Sequence, residues 1–480
     1  SGQYELQIHD SIYRGREDFV YRVAISQRPF ITEIFPLAAR KGQKTSAFIK
    51  GPNLGRTELP LDTRAGEEFI RNAIYKNQTS ISNPVAYAVS DLPQYIATES
   101  DDTDETAGKV TLPVMINGRI EKPGDVDVFE FSGKAGQRIV AEVYARRLNS
   151  PLDSLVRLTD SNGKVLAWND DHIDKDQHLH KDITGVVTHH ADSYLAAELP
   201  REDTYHLQIT DSQQHSGPAY AYAVRLTNPQ PDYELRVTPS SIFARTGQIV
   251  PLCVHVLRKD GFNGPIDIKL HSNHSGFKIN GGEISPGCDK TYITLETPQK
   301  ALPKPISLRL QGIARINGRI VRRPAVPAED MMQAFLYRHL VPSEELLIAV
   351  KKSPRTLKPF ELLKPGPLTI KAGESARLAV KVPRQAAKRM KLELFEPHQG
   401  ITITETAAIS QGLAFTINTD KSLIKNTINE NLIIEVFIEF TPRRQRKAAS
   451  AKTRLISLGV LPAIPVTISK QPDLTAHAGS

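Results

Sequence analysis

Between Asp153 and Tyr222, apolar and aromatic residues alternate with polar ones at period two, and Asn, Asp and His gather in the stretches between. Tyr205-His-Leu-Gln-Ile-Thr-Asp211 and Tyr220-Ala-Tyr222 carry the alternation, whereas Leu166-Ala-Trp-Asn-Asp-Asp-His172 and Thr188-His-His-Ala-Asp-Ser-Tyr194 hold the polar clusters. Period two places every second side chain on one face of a strand, and a helix would need a repeat near 3.6. The stretch is therefore expected to form a small antiparallel sandwich with polar loops.

Residues 4 to 25 align without a gap onto residues 205 to 226, a constant offset of 201, as from Tyr4 to Tyr205. Tyr4, Leu6, Gln7, Ile8, Asp10, Ser11, Tyr21 and Val23 recur as Tyr205, Leu207, Gln208, Ile209, Asp211, Ser212, Tyr222 and Val224, and Phe19 and Ile25 are matched by Tyr220 and Leu226. The second copy reads as a hairpin that closes a domain of over about a hundred residues, a normal domain size. The first copy has only three residues ahead of it. An isolated hairpin cannot bury a core, so the chain is expected to start inside a truncated domain and to belong to a longer polypeptide.

A length of 480 residues leaves room for three or four domains, and 33 Pro with 29 Gly suit many short strands and turns. No run is long or apolar enough to span a membrane. The two cysteines, Cys253 and Cys288, have no Cys-x-x-Cys spacing and make neither a zinc framework nor a disulfide scaffold. Placed at the starts of neighbouring antiparallel strands, they would sit at opposite ends of the pair, too far apart to bridge. The net charge of +8 is uneven: Asp101-Asp-Thr-Asp-Glu105 is acidic, and Lys351 to Lys391 and Arg443-Arg-Gln-Arg-Lys447 are basic. Without interleaved aromatics to stack bases, the basic runs read as solvated faces, and nucleic acid is not expected as a partner.

In chain order, residues 1–28 are the truncated closing pair. Ile31-Thr-Glu-Ile-Phe-Pro-Leu-Ala-Ala-Arg-Lys-Gly42 and Ala47-Phe-Ile-Lys-Gly-Pro-Asn-Leu-Gly55 resemble the start of an IPT/TIG immunoglobulin-like domain over residues 29–93. From 94 to 229 the chain resembles the bacterial pre-peptidase C-terminal (PPC) domain. The residues that carry this are Glu99-Ser-Asp-Asp102, Pro123-Gly-Asp-Val-Asp-Val-Phe-Glu-Phe131, Gly136-Gln-Arg-Ile-Val140, Leu152-Asp-Ser154, Leu158-Thr-Asp-Ser-Asn-Gly163, Asn169-Asp-Asp171, Asp192-Ser-Tyr-Leu195 and Leu199-Pro200. That resemblance implies a jelly-roll-like β-sandwich of a secreted multidomain protein. Ser100 and Asp101 stand where the family has Pro and Asn. Residues 230–350 and 364–475 read as further immunoglobulin-like sandwiches, joined by a linker at 351–363. Within the first of these, Ala325 to Leu340 fits either a helical face through Met331, Phe335 and His339 or a strand through Phe335, Tyr337 and His339. The expected fold class is all-β, a tandem of β-sandwich domains.

Two groups of side chains invite a metal. Hard cations take six to eight oxygen ligands, and Glu99, Asp101 and Asp102 could converge with Asp125 and Asp127. In collagenase-type PPC domains acidic residues in such places bind calcium, so the resemblance implies calcium here. The other reading is a solvated linker and a closed turn. The second group joins Asn169, Asp170, Asp171 and Asp174 to His189, His190 and Asp192, where carboxylates alone suit calcium and added histidines suit zinc. Its alternative is loop side chains that cap main-chain amides. His189, His190, Asp192 and Ser193 also include the residue types of a hydrolase triad, but no Gly-x-Ser-x-Gly elbow, His-Glu-x-x-His helix or phosphate-cradling loop is present.

The chain is accordingly expected to be a non-catalytic, exported scaffold or adhesion protein, periplasmic or extracellular, stiffened by calcium. Its partners would be other segments of the same longer polypeptide, other proteins or polysaccharide. The alternatives are a carbohydrate- or protein-binding accessory region of a secreted hydrolase, and a metal-dependent hydrolase using the 189–192 loop.

Overall fold

The computed structural model describes residues 2–9, 21–66, 69–98, 100–171, 186–187, 192–271, 274–332, 338–353, 359–364, 366–440 and 454–470. The fold is all-β, as the alternation predicts. Short strands pair into successive sandwiches, and the only helical pieces among the described residues are single turns at Arg146–Leu148 and Arg384–Ala387.

In the first sandwich a sheet of Glu33–Phe35, Ser46–Lys50 and Glu58–Pro60 faces one of Ala38–Arg40, Val85–Ser90 and Ile70–Ala73. The second sandwich has two five-stranded sheets. One runs in the order Val165–Asn169, Ser154–Asp160, Asp203–Asp211, Asp127–Gly133, Gly108–Lys109, and the other Tyr194–Glu198, Arg138–Tyr144, Ala221–Thr227, Val114–Arg119, Gln94–Ile96. Phe129, Phe131, Tyr205, Leu207, Ile209, Tyr222, Val224 and Leu226 fill the space between them. They are the inward half of each alternating strand, so period two places them there.

The expected hairpin is corrected. Asp203–Asp211 pairs with Ser154–Asp160 on one side and Asp127–Gly133 on the other. Ala221–Thr227 lies in the opposite sheet, between Arg138–Tyr144 and Val114–Arg119. With both edges of each strand already hydrogen-bonded, the two cannot pair with each other. They form an arch across the core, about 10 Å from sheet to sheet.

In the third sandwich, Asp232–Thr238, Ile249–Lys259 and Lys290–Glu296 form the centre of a large sheet covered by Ser241–Arg245, Leu346–Lys351 and Ile306–Leu308. The described parts of the ambiguous 325–340 segment are strand: Arg319–Met332 pairs antiparallel with Arg338–Pro342, and Ala328 and Leu340 are buried against Leu257. Phe335 and Tyr337 lie outside the described residues. Cys253 is buried opposite Tyr292, four residues beyond Cys288, and both thiols are free. The fourth sandwich holds Ile370, Val380, Phe415, Ile417, Ile434 and Val466 in its core.

Neighbouring sandwiches share buried surface. Met115, Tyr144, Leu148, Ala221 and Ala223, on the outer face of the second sandwich, join the core of the first, where the Phe69 and Tyr144 rings lie 4.9 Å apart. Ala38 N donates to Asn117 Oδ1 at 2.7 Å across the same boundary. Between the third and fourth, Ile249 packs with Ile433, Val460 and Ala463, and Asn431 Nδ2 donates to the carbonyls of Gly281 and Tyr292 at 2.7 and 2.8 Å.

Candidate functional site

The carboxylates at the start of the second sandwich take three roles. Asp101 is buried and closes its own turn, accepting from Thr98 N at 3.0 Å, Thr98 Oγ1 at 3.0 Å and Tyr95 OH at 3.1 Å. Asp127 accepts from Tyr222 OH at 2.5 Å inside the sandwich. Burial, together with the Asp127, Asp101 and Asp125 charges, pushes the Tyr222 hydroxyl well above its usual range, so it stays a donor. Burial with Asp101 beside it likewise pushes Tyr95 up to about 12. Asp125 Oδ2 accepts from Glu121 N at 2.9 Å, while its buried Oδ1 accepts no hydrogen bond and has Lys122 Nζ at 3.7 Å. Lys122 Nζ reaches on to Asp102 at 2.6 Å. Glu99 lies outside the described residues.

The second expected group comes together around main-chain amides. Asp192, buried, caps the turn at Arg146–Leu148 by accepting from the N–H groups of Ala145, Arg146 and Arg147 at 3.1, 2.7 and 3.2 Å, and from Arg147 Nε at 2.7 Å. Asn169 accepts from Tyr194 N at 2.8 Å and donates to the Asp171 carbonyl at 3.0 Å; Asp170 Oδ1 accepts from Asp171 N. Ser193 is fully buried, and its hydroxyl donates to the Asp170 carbonyl at 3.0 Å. Its oxygen therefore faces the core rather than a substrate. His189 and His190, with Asp174, lie outside the described residues. Among the described residues no three His, Cys, Asp or Glu side chains are placed to hold a metal ion.

A third site was not anticipated, and it joins the second and third sandwiches. Glu142 and Arg225 face each other on adjacent strands, and Arg225 Nε and Nη2 donate to Glu142 Oε2 at 3.1 and 2.8 Å. Arg225 also reaches Asp260 of the third sandwich, Nη1 to Oδ2 at 2.7 Å and Nη2 to Oδ1 at 3.2 Å. The Asp260 side chain, 0% exposed, further accepts from Tyr194 OH and Gln230 N, each at 2.7 Å. Lys259 Nζ ties Glu142 to Glu234 at 3.2 and 2.5 Å, and Arg147 Nη1 donates to Glu142 Oε1 at 3.0 Å.

A tight turn aims this pair. Phe262 N donates to Lys259 O at 2.9 Å, and φ is +50° at Asp260 and +83° at Gly261, the Asp-Gly pattern of a primed turn. Burial alone would raise the Glu142 carboxyl, but Lys259, Arg147 and Arg225 outweigh it and hold the group well below the usual range. Burial would likewise lower the Lys259 ammonium, but Glu142 and Glu234 hold it above its usual value. Glu142, Arg147, Arg225 and Lys259 therefore stay charged near neutrality. Residue spacing offered one signal for this site: a single Glu in Ile139-Val-Ala-Glu-Val-Tyr144 and a single Arg in Ala221-Tyr-Ala-Val-Arg-Leu226, charges set in strands whose other residues are apolar or aromatic.

Among the described residues, the exposed aromatics Phe48, Trp168 and Phe243 lie on three different sandwiches. No helix among the described residues is long and apolar enough to cross a membrane.

No family model matches the chain. Over 104 residues it is 38% identical to a probable subtilase-type serine protease of Deinococcus radiodurans; the match spans 22% of this chain and 12% of the protease. Among solved structures, the surface layer protein SbsC (domains 1–6) aligns over 93% of this chain and 53% of its own, with 10% identity and a TM-score of 0.19. The D00–D0 domain of intimin aligns over 47% of this chain and 99% of its own, with 12% identity and a TM-score of 0.16. The architecture described above rests on the strand pairings themselves.

Proposed function

We propose that this chain is a non-catalytic, exported scaffold that holds its sandwiches in one fixed arrangement. The observation that carries the reading is the desolvated cluster of Glu142, Arg225, Lys259 and Asp260 between the second and third sandwiches. Interfaces between independently moving domains are small and wet, whereas this one buries complementary charges that neither sandwich would tolerate exposed to an apolar neighbour alone. Composite apolar cores at the other two boundaries support the same reading. The test is small-angle X-ray scattering of the intact chain. One rigid arrangement should reproduce the profile of residues 29–470, and a profile that requires an ensemble of bent sandwiches would overturn the proposal.

A second reading, an accessory region of a secreted protease, draws support from the partial likeness to the subtilase-type protease. Binding of the intact chain to unfolded protein substrates, measured by fluorescence anisotropy, separates the two readings, because a pure scaffold should not bind them.

Calcium belongs to the first reading. The site would use Asp125 Oδ1, the buried carboxylate oxygen without a hydrogen bond, together with Asp102 Oδ2, in place of the Lys122 ammonium that stands between them. The ion would neutralise the acidic turn and fix it to the sandwich.

A further inference from the structure

The two sheets of the second sandwich differ in what their outer faces meet. The sheet that carries Glu142, Arg225, Tyr144 and Ala221 meets the third sandwich through its charges and the first through its apolar residues. The other sheet, which holds Val165–Asn169, Ser154–Asp160, Asp203–Asp211, Asp127–Gly133 and Gly108–Lys109, turns Val156, Leu158, Phe129 and Leu207 into the core. The residues between these stand on its outer face, and the register sets them in two rows. In the first row Trp168 lies opposite Arg157, and Arg157 opposite Gln208. In the second, Thr159 lies opposite His206, His206 opposite Glu130, and Glu130 beside Lys109.

These rows hold hydrogen-bonding capacity that no described residue uses. Trp168 is 61% exposed, and the exposed Arg157 beside it has no ion pair or side-chain hydrogen bond among the described residues. The Gln208 amide is unengaged in the same way. Thr159 and His206 are only 3% and 7% exposed, yet Thr159 Oγ1 and His206 Nδ1 have no hydrogen-bond partner, and Glu130 Oε2 stands 4.0 Å from the other imidazole nitrogen. Native proteins leave few buried polar atoms unpartnered, and two on facing residues of one row point to a missing occupant.

We propose that this face binds an acidic polysaccharide, a chain of sugar rings that carry carboxylates. A pyranose ring presents C–H groups on its face and hydroxyls at its rim, which matches an exposed indole set among polar side chains. The Arg157 guanidinium, one strand away from Trp168, is a planar fork that takes a carboxylate through two parallel N–H···O bonds. Trp168 and Gln208 are two strand spacings apart, about 10 Å, the length of a disaccharide, so one ring stacks on the indole while the next reaches the amide. As Arg157 and Gln208 turn outward onto the sugar, a ring hydroxyl, both donor and acceptor, satisfies Thr159 Oγ1 and His206 Nδ1. A protein partner fits less well, because a stable protein interface takes about 800 Å² from each side around an apolar centre, and these rows hold a single aromatic. This inference stands independently of the scaffold reading, which rests on the opposite sheet.

Trp168 is the one tryptophan of the chain, so its emission reports on this face. The intact chain is titrated with tetragalacturonic acid, with neutral cellotetraose and with poly-L-glutamate, all in EDTA because calcium bridges uronates. Tetragalacturonic acid should change the emission saturably, with an affinity that falls as salt rises, and the other two should not at the same concentration. Arg157→Ala should weaken the acidic sugar by about tenfold or more, the worth of one charge-assisted pair, and leave the melting midpoint unchanged. No saturable response to tetragalacturonic acid would overturn the proposal. Equal binding of cellotetraose, or an unchanged affinity in Arg157→Ala, would rule out recognition of the carboxylate, and an equal response to poly-L-glutamate would rule out recognition of the sugar; either result overturns it too.

Discussion

Replacing Asp260 with Ala removes the one carboxylate through which the third sandwich holds Arg225. Four donors lose their acceptor: two Arg225 nitrogens, the Tyr194 hydroxyl and the Gln230 amide. Arg225 keeps Glu142, so its charge is not stranded, and Gln230 is exposed enough for water to replace its bond. The loss is then concentrated in the Arg225 and Tyr194 contacts. Breaking a buried pair from one side costs about 3–5 kcal/mol, and the remaining Glu142 contact puts this case near the lower end, about 3 kcal/mol. For a unit of this size each kcal/mol lowers Tm by about 2–4 °C, so a shift of about 6–12 °C is expected.

The assay is differential scanning calorimetry of the intact chain, with Lys109→Ala as the comparison. The Lys109–Glu130 pair, at 3.5 Å, has a lysine side chain 81% exposed, and such a pair is worth less than about 1 kcal/mol. If Asp260→Ala moves the transition no further than Lys109→Ala, the junction is not desolvated in solution and the scaffold reading loses its main support. Asp260→Asn should fall between the two. It tolerates the left-handed backbone and still accepts from Tyr194, but it leaves Arg225 facing a neutral group.

Four further outcomes follow from the same geometry. Gly281→Ala should loosen the boundary of the third and fourth sandwiches by about 1–3 kcal/mol, because φ is +72° there and a Cβ would lie 2.7 Å from that of Ala463; chemical denaturation of the intact chain measures it. Cys253, buried and with its thiol pushed up to about 12 by desolvation, should resist a thiol reagent at pH 8 until the chain unfolds, whereas half-buried Cys288 should label first. Calcium, and not magnesium, should raise the melting midpoint read from Trp168 emission, and Asp125→Ala should abolish the rise; no shift with calcium would remove the metal from the proposal. The junction should also be insensitive to pH over a wide range. Glu142 is depressed, so its contribution is present above about pH 4.5 and is lost as pH falls through its lower folded value, while Lys259 is raised, so its contribution is complete below about pH 10.5 and fades as pH rises through its higher folded value. A melting midpoint that changes steeply between about pH 6 and pH 9 in the wild type, but not in Glu142→Gln, would contradict that assignment.

Most strands were legible because alternation reports which face of a strand meets a core, and that is a local property. Alternation says nothing about which strand lies alongside, which is why Tyr205 to Asp211 and Tyr220 to Tyr222 read as a hairpin when they sit in opposite sheets. The same limit applies to Leu432 to Phe440, which reads as one strand. The chain leaves one sheet at Leu432 and enters another at Ile434, and the turning residue, Ile433, is buried against Ile249 of the preceding sandwich. An apolar side chain that meets a different domain keeps the period unbroken. Gly412–Thr419 carries little polar alternation for a related reason: seven of its eight residues are buried.

The candidate sites divide along the same line. Loop carboxylates such as Asp101 and Asp192 were visible as residue types, but a carboxylate that caps three amides and one that waits for a cation have the same letter in a sequence. What separates them is the direction of nearby N–H groups, set by the turn at Arg146–Leu148 about 45 residues away from Asp192. The junction is the opposite case. Glu142 and Arg225 occupy outward positions of strands whose inward residues already fill a core, so a lone charge there looks like an ordinary solvent-facing residue. Their significance lies in the outward neighbours, Tyr144, Ala221 and Ala223, which are apolar and buried as well. A strand that is apolar on both faces needs cover on both faces, and a charge held among such residues must have its counter-charge in whatever covers it. Here the first sandwich covers the apolar neighbours and the third covers the charges, the second counter-charge to Arg225 arriving on the two-residue Asp260-Gly261 turn.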